Sequence, residues 1–334
     1  MINEIGSEFH EMPPEKGKGL ALPFEAVYTF SGRGAIETML NDLPGVKKAA
    51  LPSYCCDSMA EPFRRAGIAL SYYPVDYDGN AISVRAEIPD DASLVLRCNY
   101  FGFQTPMPDL SGFNGVVAED VTHSLFSDPI YHEGSRYLVA SLRKWEPILS
   151  GGFCAAVHGK LRHVPAKAPA EDFLSLRARA MTLKKEYLAD GDGEKKKTFL
   201  SLFRCANQFL ADHYSETVID ERSAAYLALV DRERQRERRR QNARILYEGL
   251  QGKASFLFPL DKMDCPLFVP ILLNDRARIR QALTDNGIYC PIHWPRPNAD
   301  CRSGLYDLEL SLICDQRYGP ADMERIVSVL APLL

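Results

Sequence analysis

Three short segments hold residue types able to do chemistry. The first is Ser141-Leu142-Arg143-Lys144, which follows the apolar run Tyr137-Leu138-Val139-Ala140 and precedes Ser150-Gly151-Gly152 and a second apolar run. A lysine just past a strand end, three residues after a serine, can hold an aldehyde cofactor as a Schiff base while the serine hydroxyl reaches that cofactor's phosphate. The glycines let the chain turn back beside a bulky group. The second is Val117-Ala118-Glu119-Asp120, continued by Val121-Thr122-His123-Ser124. A carboxylate at a strand end suits a pyridine nitrogen, because a neighbouring anion keeps it protonated and the ring then acts as an electron sink. The third is Ser31-Gly32-Arg33-Gly34, which opens a helix. Small residues there let backbone N–H groups approach an anion, and the helix dipole favours a phosphate. Taken singly, each segment has an ordinary explanation: a surface lysine, a carboxylate capping a turn, a glycine turn before a helix. Their order and spacing point to one chemistry.

Such residues need a frame that ends strands where helices begin, because open α/β sheets place their ligands there. Between residues 20 and 160, short apolar runs alternate with helical stretches. Periodicity predicts helices over 35–43 and 58–66, and strands over 48–51, 68–75, 93–99, 115–119, 137–141 and 152–157. Residues 172–188, 197–213 and 221–250 read as long, charge-rich helices. Within them, 231–240 holds six arginines and three acids. Opposite charges interleave there, so the run reads as a solvated helix face with i,i+4 pairing rather than a nucleic-acid contact. After Cys265 come strand 266–273, helix 276–286, strand 308–313 and helix 321–330. The pattern predicts an α/β fold with a mostly parallel central sheet flanked by helices. A large segment would span 1–240, and a smaller α+β domain 241–334.

The 334 residues suffice for a large and a small domain sharing a core. A net charge of −4 gives no global reason to expect nucleic acid or an anionic membrane as partner. No apolar run is long enough to cross a bilayer. Residues 1–19 lack the apolar core of a signal peptide, so a cytoplasmic protein is expected. Nine scattered cysteines, with only Cys55-Cys56 adjacent, predict reduced thiols and no metal site.

At this point the chain resembles the fold type I pyridoxal 5′-phosphate (PLP) enzymes of the aspartate-aminotransferase superfamily, and within them the DegT-type sugar aminotransferases. Phe30-Ser31-Gly32-Arg33-Gly34-Ala35-Ile36 is similar to that family's phosphate-binding segment, and Leu51-Pro52-Ser53-Tyr54-Cys55-Cys56 to its proline-containing segment. Asn99-Tyr100-Phe101-Gly102 resembles its His-x-x-Gly strand end, Glu119 to Ser124 its Glu-Asp-Ala-Ala-His/Gln-Ser motif, and Leu310-Ser311-Leu312-Ile313 its Leu-Ser-Leu-Pro strand.

The resemblance implies a cofactor site. Lys144 would be the Schiff-base lysine and proton shuttle, Asp120 the partner of the pyridine nitrogen, and Ser141 a phosphate contact. His123 would lie near the ring hydroxyl, Gly32, Arg33 and Gly34 at the phosphate, and Tyr54 and Asn99 at the cofactor face. It further implies a homodimer, glutamate or glutamine as amino donor, and a nucleotide-linked keto sugar as acceptor. Arg317, His293 and Trp294 are candidates for the substrate mouth. The chain departs from the family before Ala224-Ala225, where Glu216 to Glu221 replace the segment that supplies an asparagine to the neighbour's phosphate. Arg33, standing where threonine is usual, is expected to supply part of that contact; a solvent-facing helix residue is the other reading. Two alternatives stay open: another PLP reaction, such as a lyase or dehydratase, and a non-catalytic binding relative.

Overall fold

The computed structural model describes residues 2–334. In chain order it has strands β1 (Ile5–Gly6) and β2 (Val27–Thr29), helix α1 (Gly32–Asp42), strand β3 (Lys48–Pro52) and helix α2 (Asp57–Arg65). Strands β4 (Ala69–Tyr73), β5 (Val75–Tyr77), β6 (Ile82–Val84), β7 (Leu94–Cys98), β8 (Val116–Asp120) and β9 (Tyr137–Ser141) follow. A 3-10 turn, Leu142–Lys144, leads to β10 (Gly152–Ala156). Four helices come next: α3 (Glu171–Asp190), α4 (Gly193–Asp212), α5 (Glu221–Leu227) and α6 (Arg232–Gly249). The chain ends with β11 (Ser255–Phe256), β12 (Val269–Leu272), α7 (Arg276–Asp285), β13 (Ile288–Tyr289), α8 (Leu305–Leu308), β14 (Glu309–Leu312) and α9 (Pro320–Leu330).

These elements gather into two compact units that interleave along the chain. Unit 1 takes residues 2–4, 8–45 and 137–232; unit 2 takes 5–7, 46–136 and 233–334.

In unit 1, β10 pairs antiparallel with both β9 and β2, with Gly152 opposite Ser141 and Thr29. Helix α1 starts where Ser31, in extended conformation, turns its Oγ back to accept the Gly34 N–H at 3.3 Å. Its Ile36, Met39 and Leu40 are buried at helical spacing. Helices α3 and α4 form a hairpin. Gly191, at φ 78°, ends α3, and Asp192 accepts the Glu194 N–H to start α4. Phe30, Phe173, Ala206, Leu210 and Tyr214 form one of the unit's buried clusters.

In unit 2, β4, β3, β7 and β8 lie side by side in that order and all run parallel. The buried runs Ala49–Leu51 and Leu94–Leu96 are the continuous apolar strands that a sheet covered on both faces requires. An antiparallel sheet, β11-β12-β14, packs its Val269, Ile271, Leu310 and Leu312 with Ile279, Leu283 and Ile326.

Two expectations need correction. The helix expected over 221–250 is two helices, α5 and α6. Extended residues draw on the carbonyls between them: Gly17, Gly19 and Leu20 donate to Leu229, Val230 and Leu227. A continuous helix would need those carbonyls for itself. Nor is the arginine run only a solvated face. Arg239 is fully buried and donates to the carbonyls of Pro266 and Leu267 at 3.3 and 3.2 Å. Arg236 and Arg240 clamp the carbonyls of Met263, Asp261 and Asp264. Among the described residues no helix is long and apolar enough to cross a membrane. All nine cysteines are free.

Candidate active site

In unit 1 the residues around Lys144 stand out by exposure. Gly32, Arg33, Ser141, Arg143 and Lys144 are partly exposed, while their neighbours Ser31, Gly34, Ala140, Leu142 and Trp145 are buried. The α1 mouth comes close to the end of β9: a Cβ on Gly32 would lie 3.1 Å from Ser141 Cβ, so glycine lets the helix start pack against the strand end. Backbone N–H groups at a helix start beside a serine are of the kind that can hold an anion.

Gly34 does not join them. It is buried and its N–H is taken by Ser31 Oγ, so it completes the cap instead of facing an anion. The segment after Lys144 is tied down on both sides. Leu142 N–H donates to Gly151 and Gly151 N–H to Phe30, while Ser150 Oγ donates to Asp220 Oδ2 at 2.6 Å. The stretch before α5 offers no asparagine, and Glu216 there holds His163 Nε2 at 2.9 Å and Asn41 Nδ2 at 2.8 Å.

Unit 2 holds the remaining candidates. Asp120, partly exposed, ends β8, and its Oδ1 accepts the Thr122 N–H at 2.8 Å. Beneath it, the fully buried Glu119 carboxylate takes Arg97 Nε at 3.3 Å, His132 Nδ1 at 2.9 Å and Ser135 Oγ at 2.7 Å. This network fixes the strand end that presents Asp120, and its only local trace in the sequence is the Glu119-Asp120 pair.

His123 Nδ1 accepts the Phe101 N–H at 3.0 Å, and its ring stacks on Trp294 with centroids 5.7 Å apart. Phe101 and Gly102 both have positive φ, 57° and 91°. A Cβ on Gly102 would strike the Cys265 carbonyl at 2.0 Å, so glycine is required there. Asn99 Oδ1 accepts the Thr105 N–H at 3.1 Å, and its buried Nδ2 has no partner. A buried amide donor left open is a place for a ligand oxygen.

Tyr54 is fully buried among Tyr100, Phe101, Trp294 and Tyr306. Its hydroxyl donates to the His293 carbonyl. It therefore supports the ring cluster from within and exposes no face of its own. His293 is also tied in: its N–H meets Glu309 Oε2 at 2.8 Å and its Nδ1 meets Ser311 Oγ at 2.8 Å. Ser311 Oγ also meets Glu309 Oε1 at 2.5 Å, which joins His293, Ser311 and Glu309 in one buried hydrogen-bonded chain. Burial pushes the Glu309 carboxyl up to about 8, against the Ser311 and His293 hydrogen bonds and the Arg276 charge. Trp294 is the partly exposed member of this group.

Arg317 is committed elsewhere. Its Nε and Nη2 make a two-point contact with the Asp315 carboxylate at 2.8 Å each, and both side chains are buried. A guanidinium locked this way has no fork left for a substrate carboxylate, which argues against the clamp role expected for it.

No protein-family model matches the chain, and no curated protein matches its sequence. Solved structures do match. PseC of Helicobacter pylori, an aminotransferase of pseudoaminic acid biosynthesis, superposes with a TM-score of 0.64 at 13% identity, over 92% of this chain and 85% of its own. The apo-form of the sugar aminotransferase Spr1654 of Streptococcus pneumoniae gives 0.64 at 13% identity, over 98% and 92%. A DegT DnrJ EryC1 StrS aminotransferase of Brucella abortus gives 0.62 at 15%, over 93% and 87%. The chain has the sugar-aminotransferase fold. Spr1654 is also known in PLP and PMP forms.

Proposed function

We propose that this chain is a PLP-dependent aminotransferase that moves an amino group from glutamate or glutamine to a nucleotide-linked keto sugar. The observation that supports the reading is the close approach of Ser141, which ends β9 three residues before Lys144, to the Gly32 mouth of α1. When bound, PLP would supply the electron sink that makes the donor's α-proton acidic.

The protein's own residues would then do four things. Lys144 Nζ would hold the cofactor and, once released, carry the donor's α-proton. Ser141 Oγ and the Gly32 and Arg33 amides would hold the phosphate. Asp120, its Oδ1 fixed by the Thr122 amide, would keep the pyridine nitrogen protonated. The Asn99 Nδ2 donor and the His123 ring would orient the ring hydroxyl side. Trp294 would border the substrate mouth. A cytosolic homodimer is the setting we infer, with 1–240 as cofactor-holding segment and 241–334 as the smaller domain.

The test is uptake of PLP by the purified chain. A visible absorbance band on adding PLP, absent in Lys144→Ala, and donor-dependent release of amino product from keto-sugar nucleotides are expected. A chain that never takes up PLP, or a Lys144→Ala variant that absorbs and turns over like the original, would overturn the reading.

A further inference from the structure

Within unit 2, Glu233, Arg236, Glu237, Arg240, Gln241 and Arg244 of α6 line, together with Lys262, a groove of about 450 Å³. None of these residues belongs to the site assigned to PLP. Arg236, Arg240 and Arg244 are spaced four apart, so their Cα atoms follow one another about every 6 Å along one helix face. Opposite charges at i,i+4 would support the helix. Here the i,i+4 neighbour of each arginine in the row is another arginine, a spacing that by itself destabilises a helix.

Two of the three are set in place by the backbone. Arg236 Nη2 donates to the Met263 carbonyl at 3.1 Å, and Arg240 Nη1 to the carbonyls of Asp261 and Asp264 at 2.7 and 2.5 Å. Carbonyls hold a guanidinium without neutralising it and leave the other N–H groups of the fork for a ligand. The carboxylates of this loop are used by the loop itself. Asp261 Oδ1 accepts the Met263 N–H at 2.9 Å, and the two Asp264 oxygens accept the Gln104 and Asp261 N–H groups at 3.0 and 2.8 Å. Asp128 lies 3.8 Å from Arg236 Nη1. Among the described residues, Arg240, Arg244, Lys262 and Glu237 form no ion pair, and Arg244 and Lys262 no side-chain hydrogen bond. Burial, then the Arg236 charge, lowers the pKa of Arg240, and Arg244 adds to this against Cys265 and Asp264.

The groove has the size of a small-molecule site. Guanidinium forks on successive turns suit a ligand with two adjacent phosphates. Glu233 and Glu237, on the neighbouring row of the helix, would repel a long polyanion such as nucleic acid and so confine the ligand to a compact one. We propose that Arg236, Arg240 and Arg244, with Lys262, form a binding groove for a diphosphate group, and that Glu237 limits its affinity.

Calorimetric titration of the full chain with inorganic pyrophosphate, adenosine diphosphate and inorganic phosphate tests it. Pyrophosphate is expected to bind about tenfold or more tighter than phosphate, since it engages a second charge-assisted contact. Arg244→Gln should weaken pyrophosphate binding about tenfold while leaving the melting temperature unchanged or raised, because it removes an exposed like charge from the row. Glu237→Gln should strengthen binding several-fold, a gain that a damaged fold would not produce. Adenosine diphosphate binding at least as tightly as pyrophosphate would identify an organic diphosphate as the ligand; pyrophosphate binding alone would identify the inorganic one. Phosphate binding as tightly as pyrophosphate, affinity unchanged in Arg244→Gln, weaker binding in Glu237→Gln, or no binding of either diphosphate would overturn the proposal.

Discussion

The residues singled out in unit 1 and those in unit 2 live under different physical rules. Around Lys144 the side chains of Arg33, Arg143 and Lys144 are cationic and partly exposed. Around His123, His293 and Trp294 they are aromatic and mostly buried, and the one strongly displaced acid, Glu309, is pushed toward its neutral form. In the first region the charged side chains remain partly open to solvent. In the second, polar groups are closed on each other by hydrogen bonds. The first region is therefore built to exchange partners and the second to hold a shape.

Paired removals of one carboxylate in each region would break or sharpen that contrast most strongly. Glu119→Ala in unit 2 leaves a buried Arg97 without its charge partner and should cost about 3–5 kcal/mol in chemical denaturation. Glu8→Ala in unit 1 removes a half-exposed carboxylate 3.5 Å from the buried Arg177 and should cost less, about 1–3 kcal/mol. Equal losses would erase the distinction.

A pH response comes next in size. The Glu309 carboxyl is raised on folding from an ordinary 4.5 to about 8, chiefly by burial, so the native state holds a proton that the unfolded chain gives up. Its contribution is fully present below about 4.5, is lost as pH rises toward about 8, and is flat above that. The slope is worth on the order of a few kcal/mol. Glu309→Gln should flatten stability across that window, and an unchanged slope would show that another group sets it.

Removing the Asp192 cap of α4 by Asp192→Ala should cost only about 1 kcal/mol, read as a small drop in melting temperature with cofactor uptake intact. The smallest expected effect is on substrate. Arg317→Ala should lower stability by orphaning Asp315 yet leave KM for the amino donor within about twofold, because a residue outside the mouth contributes no binding energy to lose. A large KM increase with stability intact would return Arg317 to the substrate.

The local patterns carried the strand ends at Ser141 and Asp120 and the helix after Ser31, since each is written in neighbouring residues. The α5–α6 break was hidden because its cause, the strip at Gly17 to Leu20 that takes the carbonyls of Leu227 to Val230, lies some 200 positions away. The Glu8–Arg177 pair, separated by 169 positions, left no local trace either. Gly34 shows the opposite case: a glycine in a helix-opening turn is consistent with an anion site and with a cap, and the Ser31 contact that uses its N–H is visible only in the fold.

The chain has two tryptophans, and each region received one. Trp145, directly after Lys144, is fully buried in unit 1, whereas Trp294 is partly exposed and stacked on an imidazole in unit 2. Their emission should differ accordingly, blue-shifted and bright for the first, quenched for the second. A chain with phenylalanine in place of Trp294 would carry a single intrinsic lamp beside the lysine, and its dimming would time the arrival of any chromophore there without a label.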